Sequence, residues 1–102
     1  RSMAAYVIAR ITVKDPEQYE VYKSLAPIAI KKYGGQYLTR GGAMETIEGP
    51  EETQRMVILQ FPDMASARAF YDSPEYSKAR DARKDAAEGQ FVLLEGLDKP
   101  LW

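Results

Sequence analysis

"RMVILQF", residues 55–61, is the most apolar run in the chain. Large and β-branched side chains follow one another with little polar alternation. A strand of that kind is covered on both faces and belongs in the middle of a sheet. Pro62-Asp63 follows at once. Asp63 is suited to cap a helix, and Ala67, Phe70 and Tyr71 mark the side of that helix that is buried. Ser73-Pro74-Glu75 is a fresh cap, so the helical region falls into two pieces with a break at Asp72-Ser73. The second piece, "PEYSKARDARKDAAE", is strongly charged, and Gly89 is expected to stop it. "QFVLLEG", residues 90–96, reads as the last strand, and "LDKPLW" is a tail with an apolar end.

Upstream of residue 55 the pattern is similar. "AAYVIARITV", residues 4–13, is a strand with a small apolar face (Val7, Ala9, Ile11, Val13) and a mixed face (Tyr6, Ile8, Arg10, Thr12). Asp15 and Pro16 open a helix. Its stripe is Tyr19, Tyr22, Ala26, Ala29, Ile30 and Tyr33; Pro27 is expected to kink it, and Gly34-Gly35 ends it. "QYLTRGGAMETIEG", residues 36–49, reads as a strand bent or bulged near Gly41-Gly42. The order β-α-β-β-α-β predicts an α+β, ferredoxin-like fold: a four-stranded antiparallel sheet with helices on one face. One domain is expected over residues 4–96, followed by a tail over 97–102; Arg1 and Ser2 read as an expression remnant ahead of Met3.

Helices on one face leave the other face bare. Tyr6, Ile8 and Thr12 of the first strand lie there by alternation. The last strand offers either Phe91, Leu93 and Glu95 or Val92 and Leu94. Neither set is properly polar, so a two-fold homodimer stacking two sheets is expected, with Pro100-Leu101-Trp102 able to clasp the partner.

The 102 residues carry a net charge of −1, and no basic field exists to attract nucleic acid or an anionic membrane. No apolar run approaches the roughly 20 residues that span a bilayer. The chain has neither cysteine nor histidine. Thiolate chemistry, zinc–thiolate sites, haem–histidine ligation and serine–histidine pairs are therefore excluded. No metal and no cofactor is expected, and the cytoplasm is the default compartment.

Three stretches taken together, "AAYVIARITVKDPEQYEVYKSLAP", "KYGGQYLTRGG" and "FPDMASARAFYDSPEYSKARDAR", resemble the DUF1330 family of small bacterial proteins. The resemblance runs from Ala4 to about Gly96. It is most specific at Arg40-Gly41-Gly42 and at Phe70 to Tyr76 followed by Arg80. It implies the dimeric α+β barrel superfold, which hosts cofactor-free monooxygenases, isomerases, haem enzymes and proteins without known activity. It carries over no catalytic residue.

The candidate ligand-binding residues form three groups. Arg40 with Gly41 and Gly42 pairs a two-point anion binder with backbone that a ligand can approach; the plain alternative is a β-bulge with the arginine paired to an acid. Tyr71, Ser73, Tyr76 and Arg80 set a helix start beside a cation one turn on; the plain alternative is a capped helix whose arginines pair with Asp81, Asp85 or Glu88. Arg10 is a cation in mid-strand, with Glu95 as its expected partner; that pair is either structural or the mark of a polar pocket. The expected function is a dimeric small-molecule-binding protein that holds a small organic acid or other anion between Arg40, the Ser73 helix start and Arg80. It is compatible with an enzyme needing neither metal nor imidazole. The alternative is a non-catalytic interaction module whose arginines are all salt-bridged.

Overall fold

Short polar side chains set where each helix begins. In the computed structural model, which describes residues 3–98, Asp15 accepts from the Gln18 amide at 3.2 Å and Asp63 from the Ser66 amide at 2.7 Å. Ser73 accepts from the Tyr76 amide at 3.0 Å. Pro16 and Pro74 stand just after two of these caps, where a missing N–H costs nothing. The elements are β1 (Ala5–Val13), α1 (Pro16–Lys32), β2 (Gln36–Arg40), β3 (Arg55–Phe61), α2 (Met64–Asp72), α3 (Pro74–Arg83) and β4 (Ala87–Glu95). The sheet order is β2-β3-β1-β4, with every neighbouring pair antiparallel. This is the ferredoxin-like arrangement, with β3 central as its apolar run requires.

The helices cover the face carrying Ala5, Val7, Ala9 and Ile11 of β1 with Val57, Leu59 and Phe61 of β3. Rings bridge the layers in series: Phe61 to Phe70 at 5.0 Å, Phe70 to Tyr76 at 4.4 Å, Tyr76 to Tyr22 at 6.2 Å and Tyr22 to Tyr19 at 5.2 Å. Buried alanines (Ala26, Ala29, Ala67, Ala79) let the helices approach closely around these rings. On the opposite face the register places Tyr6, Ile8 and Arg10 beside Leu94, Val92 and Gln90. Val92 and Leu94, not Phe91 and Leu93, therefore belong to the bare side, and both are exposed.

Several expectations need correction. The second strand ends at Arg40 and does not resume after the glycines. Its register slips between Tyr37 and Thr39, not at Gly41-Gly42. Gly41 takes φ +66° and donates its N–H to the Met56 carbonyl at 2.9 Å. That turn sends residues 42–54 out of the sheet, so the alternation in "AMETIEG" never meets a partner strand. Gly89 does not stop a helix: α3 ends at Arg83, and Gly89 lies within β4 opposite Ile11. α1 runs without interruption through Pro27. Arg10 pairs with Glu52, not Glu95. Glu95 sits opposite Ala5, at the far end of the strand and on the helix side. The expected remnant Arg1-Ser2 and the Pro100-Leu101-Trp102 clasp lie outside the described residues.

Candidate functional site

α3 presents Tyr76, Arg80 and Arg83 at three- and four-residue spacing, so the three project toward the same neighbourhood. Arg83 is in the last turn, where the helix dipole favours a cation. Its guanidinium lies 4.7 Å from the centre of the Phe91 ring and 5.4 Å from that of Tyr22. Its Nε is buried and has no hydrogen-bond partner, and among the described residues it forms no ion pair. Burial works against the Arg83 charge, and the facing Tyr76, Tyr22 and Tyr71 oxygens more than offset it, so the group is held firmly cationic.

Arg83 forms part of the wall of a cleft of about 300 Å³ between the helices and β4. α2 supplies Ala67, Arg68 and Tyr71 to it, and β4 supplies Gly89, Phe91 and Leu93. Arg80 stands at the neighbouring surface groove, which shares Tyr71 and Arg83 with the cleft. Its guanidinium lies 4.6 Å from the Tyr71 ring centre. Of the acids expected to neutralise these arginines, Asp81 pairs with Lys84 at 3.6 Å and Glu88 with Lys14, and Asp85 forms no ion pair among the described residues.

A second, nearly filled chamber of about 20 Å³ lies against α1, β2 and β3. Tyr19, Tyr22 and Tyr37 contribute to its walls, and Lys23, Arg40 and Arg55 to its rim. Burial pushes all three tyrosine hydroxyls above their ordinary range. The Tyr22 and Tyr76 hydroxyls share a buried hydrogen bond of 2.8 Å.

Tyr71 and Arg80 are thus brought together as the sequence suggests. The remaining expected residues are distributed elsewhere. Ser73 and Tyr76 are buried; the Ser73 hydroxyl donates to the Phe70 carbonyl at 2.7 Å while accepting from the Tyr76 amide. That helix start is self-contained. Arg40 is on β2, at the opposite sheet edge from β4, where it donates to the Lys23 carbonyl at 2.8 Å and lies 4.7 Å from the Tyr37 ring centre. Gly41 makes room for Arg55: a Cβ there would stand 2.2 Å from an Arg55 guanidinium nitrogen. Gly42 is exposed beside Thr39, and Arg10 faces the bare side of the sheet. Arg40, Ser73 and Arg80 do not share one cavity.

Arg83, Arg55 and Phe91 are not among the expected ligand-binding residues, although the sequence puts Arg83 one turn beyond Tyr76 and Arg80 on nearly the same side. Arg83 continues the Tyr76–Arg80 spacing, which was a usable signal. Phe91 gave none, because both faces of β4 are apolar. Among the described residues no group of three or more Asp or Glu side chains is placed to hold a metal. The site can offer permanent cations, aromatic faces and hydroxyl donors. Groups of these kinds are suited to holding and orienting a flat anion.

A family model described as "Domain of unknown function (DUF1330)" matches residues 4–97. Among solved structures, the chain is similar to a protein of unknown function from Rhodopseudomonas palustris, with 22% identity and a TM-score of 0.75 over 98% of this chain and 86% of that one. It is similar also to SnoaB, a cofactor-independent oxygenase from Streptomyces nogalater, with 14% identity and a TM-score of 0.68 over 98% of both chains. A third is a dimeric protein of unknown function and ferredoxin-like fold from Bacteroides fragilis, with 15% identity and a TM-score of 0.54 over 91% of this chain and 96% of that one. No protein of curated function matches.

Proposed function

The chain belongs to the DUF1330 family, and from that premise we propose that it is a homodimeric binder of a small, flat organic acid, seated in the cleft between α2, α3 and β4. One observation carries this reading: Arg83 is a cation at the wall of a cleft, without a carboxylate of its own. Holding a charge away from water is costly unless something neutralises it, and a ligand carboxylate does so with two parallel hydrogen bonds. Phe91 and Tyr71 supply aromatic surface for the ligand's body, and Arg80 at the mouth draws anions in.

If the protein turns its ligand over, the reactivity resides in the ligand. The chain contributes a cation to stabilise developing negative charge, tyrosine hydroxyls as donors and a partly dry cavity. The likeness to a cofactor-independent oxygenase supports that type of chemistry at the level of fold. The salt-bridged interaction module is disfavoured, because neither Arg40 nor Arg80 has an acid partner among the described residues.

Calorimetry with benzoate on the wild type, Arg83→Gln and Arg40→Ala tests the site. Arg83→Gln is expected to weaken binding by about tenfold or more, and Arg40→Ala to leave it near the wild-type value. Equal affinity in all three proteins refutes the cleft.

A further inference from the structure

Phe91 is the residue common to the two cavities: it lies on the wall of the cleft and also on that of the second chamber. The smaller chamber of about 20 Å³ holds no more than a water-sized guest, and Phe91 contributes to the lining of both spaces. That ring is flanked by a cation and another ring, with Arg83 at 4.7 Å and Tyr71 at 6.2 Å. β4, which carries it, is an edge strand.

The chamber's own rim is cationic. Lys23 is neutralised by Glu20 at 3.0 Å, and Arg40 already donates to a backbone carbonyl. Arg55 has no ion pair among the described residues, and its Nε is buried without a hydrogen-bond partner. Its guanidinium lies 6.0 Å from the Tyr19 ring centre, over the space that Gly41 leaves open. Arg83 is 5.4 Å from the Tyr22 ring centre, and the two tyrosine rings are 5.2 Å apart. An arginine without an ion pair among the described residues therefore flanks each member of one tilted aromatic pair, and Phe91 lines both cavities.

Resting on the cleft reading above, we propose that cleft and chamber are one ligand site divided by Phe91, and that its ligand is an aromatic acid with a carboxylate or equivalent anionic group at each end. One end is held by Arg83 and the other by Arg55. The ring between them lies against Tyr19 and Tyr22 once Phe91 turns aside. Two guanidinium groups flanking one pair of rings repel each other, and a two-ended anion offsets both charges, whereas a one-ended anion leaves Arg55 unmatched.

The test compares benzoate, phthalate and terephthalate by calorimetry on the intact protein. Phthalate carries the same charge as terephthalate with both groups at one end. Wild type is expected to bind terephthalate roughly tenfold more tightly than either of the others, a factor typical of one added charge-assisted contact. Arg55→Gln is expected to bring terephthalate down to the benzoate level and leave benzoate unchanged; Arg55→Lys, which keeps a cation, retains part of the preference and covers the case in which the glutamine variant folds poorly. Phe91→Ala is expected to widen the gap in favour of terephthalate. Terephthalate no tighter than phthalate in wild type, or a preference that survives Arg55→Gln, overturns the two-ended site; Arg83-dependent benzoate binding then still supports the outer cleft. Absence of all binding by wild type overturns both.

Discussion

Arg40-Gly41-Gly42 has the composition of an anion site, and what it builds locally is a turn. Gly41 takes φ +66°, with the Arg55 guanidinium where a Cβ would lie. Gly41→Ala is accordingly expected to destabilise the protein by about 1–3 kcal/mol, read as a lowered urea midpoint, because the new methyl meets both an unfavourable backbone region and a cation. The exposed Gly49 also has positive φ but open space beside it, so Gly49→Ala carries the backbone cost alone. The three-residue motif was plain in the sequence; its geometric reason was not, since it depends on Arg55, fourteen positions later, folding back over the turn. Arg83 was equally visible as the next residue in a helical series. Its lack of an acid partner was hidden, because whether Asp81 and Glu88 reach the arginines or Lys84 and Lys14 depends on three-dimensional reach.

At the scale of elements, the helix caps were the most legible features of the chain. A side-chain oxygen meeting a free amide three residues on is a local event, and Asp15, Asp63 and Ser73 all perform it. Ser73 closes α2 and opens α3 with one hydroxyl. Ser73→Ala is expected to cost about 1–2 kcal/mol in equilibrium unfolding, against a change within about 0.5 kcal/mol for the exposed Ser77→Ala. Acid should loosen the same elements. The Ser66 amide holds the Asp63 carboxyl below its ordinary value, and the Lys32 ammonium does the same for Glu75. A carboxyl depressed by folding stabilises the protein above its unfolded value and ceases to do so as pH falls through its folded value. The thermal midpoint is therefore expected to fall as pH drops below about 4, and Asp63→Asn to flatten part of that decline. The strands were less legible. "AMETIEG" alternates like a strand, but alternation without a neighbouring edge yields no ladder. The orientation of β4 was undecidable because apolar residues occupy both of its faces; only pairing with β1 assigns Phe91 to the interior.

The whole molecule spans 42 × 38 × 16 Å. It is a thin slab, and one broad side is the bare sheet with Tyr6, Ile8, Ile58, Val92 and Leu94. A side of that breadth is large enough for an interface of standard size, roughly 1,600 Å² in total. Sedimentation at micromolar concentration is expected to give a dimer, and Ile58→Glu on the central strand to give a folded monomer; a wild-type monomer refutes the pairing. The half-covered sheet could be read from element order alone, whereas the cavities, formed where distant strands and helix ends meet, could not. The guanidinium and buried phenol groups around those cavities have one further bearing on behaviour. Burial pushes the Tyr19, Tyr22 and Tyr37 hydroxyls up, and the Arg83 guanidinium, despite its own burial, is pushed up by its tyrosine neighbours, so these four keep their protonation state between mildly acidic and mildly alkaline conditions. On the proposed reading, the lining formed by these four groups keeps a constant electrical character while its surroundings vary, so an anionic guest is expected to stay bound through a change in acidity unless the guest itself is neutralised. Release under that proposal is left to competition from other anions and to the position of a single phenyl ring.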